Sequence, residues 1–94
     1  MKQPAVYILA SQKYGTLYIG VTSNLRKRVE QHKTGVNEGF TKDHHVHRLV
    51  HVERFATMKE AIAREKRLKE WKRAWKIQLI EETNPDWRDF TYEL

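Results

Sequence analysis

Ala5-Val6-Tyr7-Ile8-Leu9-Ala10 and Thr16-Leu17-Tyr18-Ile19-Gly20-Val21, with Ser11-Gln12-Lys13-Tyr14-Gly15 between them, decide the fold of this chain. Both outer runs are rich in β-branched and aromatic residues, which suit a pleated, half-buried surface, and the link between them is short and turn-like. Together they predict a β-hairpin. Beyond it, Ser23 or Asn24 can cap a helix whose apolar positions Leu25 and Val29 stand four apart, with Thr34-Gly35 as its stop, so that a helix is predicted from about Asn24 to Lys33.

Val36 to His47 shows neither helical nor strand periodicity and reads as a loop. Arg48 to Phe55 then predicts a third strand with a mixed face. Thr57 followed three positions later by Glu60 is a capping-box signature, and Met58, Ala61, Ile62, Leu68, Trp75 and Leu79 recur at helical spacing. One long helix or two consecutive ones should follow, ending before Asn84-Pro85. The aromatic residues of Asp86-Trp87-Arg88-Asp89-Phe90 are expected to pack back on the domain. The pattern is that of a small α+β protein, a three-stranded antiparallel sheet flanked by helices, with a core over about 5–82 and a tail over 83–94.

A chain of 94 residues without a Pro- or Gly-rich linker has too little apolar surface for a second core, so residues 1–94 are expected to form one domain. It has no cysteine, which suits a reducing compartment and leaves the core to its Trp, Val, Ile and Leu residues. No apolar stretch is long enough to span a membrane, and Met1-Lys2-Gln3-Pro4 leads into the first strand without a signal-peptide pattern, so a soluble cytoplasmic protein is expected. The net charge of +6 points to a polyanionic partner. Its distribution says more: Lys59 to Lys76 carries eight Lys/Arg against three Glu, whereas Glu81 to Leu94 carries five acidic residues against Arg88 alone. The middle of the chain, not its tail, is the expected contact surface.

Polar residues stand where apolar ones belong. Helical geometry places Arg28 and His32 on the stripe of Leu25 and Val29, and Glu65 falls inside the arc of Ala61, Ile62 and Leu68. A desolvated carboxylate without a partner costs several kcal/mol or is forced to take a proton, on the order of magnitude usual for buried charges. Glu65 should therefore meet Arg28, a lysine or a metal ion. One reading makes Glu65 a metal ligand with Arg28 and His32 facing the same cleft. The other makes Arg28 and Glu65 a boundary ion pair and His32 a satisfied core histidine, and periodicity by itself favours this second reading.

Val6-Tyr7-Ile8, Tyr18-Ile19-Gly20, then Asn24-Leu25-Arg26-Lys27-Arg28 with His32 one turn on, and Glu65 on a later helix resemble the GIY-YIG nuclease pattern, over about Val6 to Trp87. The likeness is to small standalone bacterial members, including the Asn84-Pro85-Asp86-Trp87-Arg88 ending, and more distantly to the N-terminal nuclease domain of excinuclease and to homing endonucleases. It reverses the preference left by periodicity. It implies a metal-dependent endonuclease acting on DNA, with Tyr7, Tyr18, Arg28, His32 and Glu65 catalytic and Glu65 holding a single Mg²⁺ or Mn²⁺. Val6 replaces the family's first glycine, and Val21 stands where excinuclease relatives carry a lysine.

Hydrolysis of a phosphodiester needs an activated water, charge stabilisation at phosphorus and help for the leaving oxygen. Glu65 would hold the ion, and Arg28 would donate to phosphate oxygens. Tyr18, ranked by the resemblance slightly above Tyr7, would take the proton from water, although a phenol with a free pKa of about 10 needs help from its neighbours. His32 would relay the proton or hold a tyrosine hydroxyl. Arg26, Lys27, Lys66, Lys69, Lys72 and Arg73 are the candidates for phosphate neutralisation. Trp71 or Trp75 would offer a stacking face, although core packing is the favoured reading for both. His44, His45 and His47, without Cys or a partner pair, read as a solvated loop tip more than as a zinc site. With no separate DNA-reading domain, structure selectivity and a link to repair or recombination are expected. A non-catalytic nucleic-acid-binding module and an interaction domain for an acidic protein are the competing readings, and a homodimer is one route to a double-strand cut.

Overall fold

The computed structural model describes residues 3–34 and 45–94. Most of the expected loop and His44 lie outside these residues. The element order is β1 (Ala5–Ala10), β2 (Leu17–Thr22), α1 (Leu25–Thr34), β3 (Arg48–Arg54), α2 (Met58–Glu70) and α3 (Arg73–Thr83), followed by a 3₁₀ turn at Phe90–Glu93. The strands form an antiparallel sheet in the order β2-β1-β3. This is the expected α+β architecture, with the second strand displaced by one residue so that Thr22 pairs with Ala5.

β1 is central, and each of its residues is buried, which explains why its sequence is an unbroken apolar run and not an alternating one. Val6, Ile8 and Ala10 pack with Ile19, Ala61, Leu68, Ile80 and Trp87 under α2 and α3. Ala5, Tyr7 and Leu9 face the other way, onto Leu25, Val29, Val46 and Leu49, with Phe90 and Leu94 closing the edge. The β1–β3 register shifts between Ile8 and Leu9, opposite His51 and Leu49, so Val50 is an extra residue that turns inward beside Ile8.

Local chemistry sets the helix ends. Asn24 caps α1, its carbonyl accepting from the Arg28 amide at 3.1 Å. The N-cap half of the expected capping box forms at α2, where Thr57 Oγ1 accepts from the Glu60 amide at 3.2 Å, while the Glu60 carboxylate accepts from the Thr57 hydroxyl at 2.9 Å. Extended backbone at Trp71 and Lys72 divides the late helical segment into two helices. Asn84 ends α3 and organises the tail. Its side-chain amide donates to the carbonyls of Val50 and Arg88, and its Oδ1 accepts from the Arg88 amide. Trp87 is thereby fully buried, as the aromatic tail residues led one to expect.

The tail also clamps the helix that will carry site residues. Lys33 at the end of α1 donates to Asp89 Oδ2 at 2.6 Å and to the His47 carbonyl at 3.0 Å, while the Leu49 amide donates to Asp89 Oδ1. Burial pushes the Asp89 carboxyl up, but hydrogen bonds from Lys33, Thr91 and Leu49 outweigh it and hold it below the usual range. For Glu53 burial is likewise outweighed by His51 and Arg64, which bring the carboxyl down to about 2. A carboxylate lowered by folding contributes stability that is complete above its unfolded value and lost as pH falls through its folded value. Stability should therefore be level near neutrality and decline from about pH 4.5 toward about 2. Chemical denaturation over this range should show a shallower decline for Glu53→Gln than for the natural chain.

Candidate active site

Tyr7 sits in the middle of the central strand and is 1% exposed. Its cross-strand partner is Gly20, and a Cβ built on Gly20 would run into Cζ and the hydroxyl of the Tyr7 ring. The missing side chain at 20 is thus the space in which the phenol lies. A larger residue there would push the ring out of its place.

Three rings gather at this point. The Tyr7 hydroxyl shares a hydrogen bond of 3.1 Å with His32 Nε2, across the interface between β1 and α1. Tyr18 of β2 completes the group, its ring 5.3 Å from that of His32 and 6.3 Å from that of Tyr7, centroid to centroid. Leu25, Val29 and His32 form the buried stripe of α1, whereas Arg28 is half-buried at its margin. His32 therefore belongs to the core stripe and to the ring cluster at once. That is why periodicity could not choose between its two readings.

Electrostatics bring in the remaining residues. Burial pushes the Tyr7 phenol far up. Tyr18 raises it further, Arg28 opposes and the Glu65 carboxylate adds to the rise. The His32 imidazole is lowered first by burial, then by the positive charge of Arg28 and by His47, so it stays neutral at neutral pH. Tyr7 holds its proton firmly. Of the two tyrosines, Tyr18 is the one with part of its surface open to solvent.

Glu65 stands on α2, which packs chiefly against β2 and β1. Its side chain is 14% exposed, and Oε2 meets Lys69 Nζ at 3.2 Å. The partner demanded by a shielded carboxylate is thus a lysine one turn along the same helix, not the Arg28 of the boundary-pair reading. An i,i+4 pair of this kind contributes only about 0.3–0.5 kcal/mol, so Lys69 holds the carboxylate weakly. Ile62, expected within the buried arc, is 38% exposed, because the buried stripe of α2 runs through Ala61 and Leu68.

The basic residues separate by what they touch. Arg73 donates to the carbonyls of Tyr14 and Gly15 at 2.7 and 2.6 Å and braces the hairpin turn, and Arg26 donates to the Leu94 carbonyl at 2.7 Å. Lys27 and Arg28 line a polar hollow with Asn24 and Gln31 at the start of α1. Lys69 and Lys76 line a cleft with Tyr18, Leu17 and Ile19. Lys66 and Lys72 are exposed. Sequence reasoning missed Lys76 and the polar pair Asn24 and Gln31. The bend at Trp71-Lys72 sets which way Lys76 faces, and no spacing in the sequence reveals that. His45 and His47 have rings 6.4 Å apart, and among the described residues no group of three or more His, Cys, Asp or Glu gathers as a metal cage would need.

The GIY-YIG catalytic domain matches this chain over residues 3–78. The chain belongs to this nuclease family. Among similar proteins, a UPF0213 protein of Syntrophus aciditrophicus is 39% identical over 88 residues, covering 92% of this chain and 98% of that protein. A UPF0213 protein of Clostridium perfringens is 40% identical over 75 residues, covering 80% of each. The solution NMR structure of the UPF0213 protein BH0048 from Bacillus halodurans superimposes with a TM-score of 0.58 at 29% identity, over 95% of this chain and 94% of that one. The GIY-YIG match ends within α3, so the Asn84-organised tail that grips α1 lies outside it. No helix among the described residues is long and apolar enough to cross a membrane.

Proposed function

We propose that this chain is a metal-dependent endonuclease that hydrolyses phosphodiester bonds in DNA, selective for branched or interrupted structures of the kind that repair and recombination produce. The observation that carries the reading is the meeting of four elements at the Tyr7 hydroxyl. It is hydrogen-bonded to His32, lies beside Tyr18 and feels both the Arg28 guanidinium and the Glu65 carboxylate.

The residues fit a single hard divalent ion. One shielded carboxylate, held by a lysine that is easily displaced, suits Mg²⁺ or Mn²⁺, which keep waters and take phosphate oxygens in their remaining positions. A caged ion such as structural zinc would need more protein donors. When bound at Glu65, the ion would polarise a phosphate oxygen and stabilise the leaving oxygen.

The chain's own groups account for the rest. Arg28, half-buried at the margin of the cluster, donates to non-bridging phosphate oxygens through its planar fork. Tyr18, open to solvent, takes the proton of the attacking water. Its own proton passes to the Tyr7 oxygen as the Tyr7 hydroxyl donates to His32 Nε2, whose lone pair is available because burial and Arg28 keep the imidazole neutral. Lys27 at the polar hollow, with Lys66, Lys69, Lys72 and Lys76 on the other side, neutralises flanking phosphates. Arg26 and Arg73, turned to backbone carbonyls, contribute less to binding.

A non-catalytic nucleic-acid-binding module is the second reading, and Val21 favours it. Val21 packs partly buried against the layer beneath α2, so a cation is missing at this position while the fold keeps its support. Branched, single-stranded and plain duplex DNA, incubated with and without Mg²⁺, separate the two. Cleavage of the branched substrate that requires Mg²⁺ is expected. Binding that weakens steeply with salt but never leads to cleavage would favour the module instead.

A further inference from the structure

At the bend between α2 and α3 the rings of Trp71 and Trp75 stand nearly perpendicular, with centroids 6.1 Å apart. Trp71 leans on the core beneath α2, but Trp75 is 50% exposed, which corrects the core-packing reading for that residue. Indole is a costly group to leave in water unless something covers it, and an exposed tryptophan beside a second one forms a concave apolar face. Gln78, Leu79 and Glu82 complete an open slot there.

What covers this slot is indicated by its charges. Arg64 lies over the Trp71 ring at 5.0 Å but its charge is answered by Glu53, so the cation that borders the slot is Lys72, over the Trp75 ring at 5.6 Å. On the same helix, Lys76 follows Trp75 directly and turns into the cleft beside Tyr18. A polyanion threaded past Tyr18 would thus reach the slot from a positively charged approach. Inside the slot the polar groups are Gln78 and the Glu82 carboxylate, and an acid repels phosphate. The occupant must be apolar on its faces and capable of donating hydrogen bonds from its edge, while its connecting chain is anionic. An unpaired nucleobase has these properties, its exocyclic amino group meeting the acid.

We propose that Trp71 and Trp75 form a stacking site for one unpaired base of a single-stranded stretch that continues past the cut, a proposal that rests on the nucleic-acid-cleaving reading given above. It deepens that reading by supplying the physical source of structure selectivity: a fully paired duplex offers no free base to this slot. Phosphate contacts would serve duplex and single strand alike, whereas the indoles would reward the single strand alone.

The test compares Trp75→Ala, Trp75→Phe and the natural chain for binding of a short fluorescent single-stranded DNA and a plain duplex of the same length, without divalent metal. Trp75→Ala should weaken single-strand binding by roughly tenfold, in keeping with the usual value of one base stack, and leave duplex binding unchanged. Trp75→Phe should restore most of the loss, which removes misfolding as a cause. Equal weakening on both DNAs, or none on either, would overturn the site while Mg²⁺-dependent cleavage of branched DNA by the natural chain still stood. If Trp75→Ala turns a dimer into a monomer in sedimentation without changing single-strand affinity, the slot is a self-association face and the proposal fails. Absence of any DNA binding by the natural chain would remove both the slot and the nuclease reading.

Discussion

Glu65→Ala and Arg28→Ala should each leave a folded protein that no longer cuts DNA in the presence of Mg²⁺. In the proposed mechanism each change removes a charge that serves the reacting phosphate, and single losses of this kind usually cost about 10²–10³ in rate, with arginines on transferring phosphoryl groups reaching about 10³–10⁵. The effect on folding is of a different size. Among the described residues Glu65 forfeits its pair with Lys69, worth about 0.3–0.5 kcal/mol for a helical pair of this spacing, and alanine is the better helix former. Circular dichroism and thermal unfolding of both variants should therefore match the natural chain closely while a gel assay of cleavage goes blank. Glu65→Gln sharpens the comparison, because it keeps the shape and removes the charge that a divalent ion requires. Should either residue prove dispensable for cleavage, it leaves the proposed mechanism. Should both, the cluster at Tyr7 is an arrangement of the core and nothing more.

Tyr18→Phe should lower cleavage by about 10²–10⁴, the usual worth of a general base, while the half-buried ring stays in the cluster and only the hydroxyl, which hydrogen-bonds with Tyr7, is lost. Tyr7→Phe acts differently. It breaks the 3.1 Å bond to His32 at a site with almost no exposure, and so should cost stability as well as rate. The pH profile separates the two tyrosines further. His32 is lowered from its usual value of 6.5, so it remains neutral, and able to accept a proton, until the pH falls below that value. Cleavage by the natural chain should persist below pH 6.5 and then fall as His32 becomes protonated. In Tyr7→Phe that acid limb should shift, because the hydroxyl no longer couples His32 to the cluster. In Tyr18→Phe a small residual rate should lose its rise with pH. Identical profiles in all three proteins would remove the proton relay.

Much of the fold was legible in the chain because hydrophobic pattern and local chemistry agreed. The apolar run of β1 marks a central strand, the turn-like link after Ala10 closes the hairpin in six residues, Ser11 to Thr16, where five were expected, and Thr57 caps α2 through the Glu60 amide. The catalytic candidates were legible only through the family resemblance. Periodicity placed Arg28, His32 and Glu65 on inward faces, but it could not say whether those faces met each other or merely the core.

What the sequence determined by itself is the set of elements: which runs are strands, where the helices begin, and that polar side chains intrude on apolar stripes, for these depend on neighbours within one turn or one strand. Tertiary structure decided how they are brought together. It laid the Tyr7 ring over the vacant side of Gly20 and set His32 against its hydroxyl. It also gave Glu65 to Lys69 rather than Arg28, turned Arg73 to the hairpin, and left Trp75 in solvent at the bend while burying Trp87. Each of these depends on the angle at which one element crosses another. That angle is fixed by the packing of side chains distant in the chain, a quantity no local pattern contains.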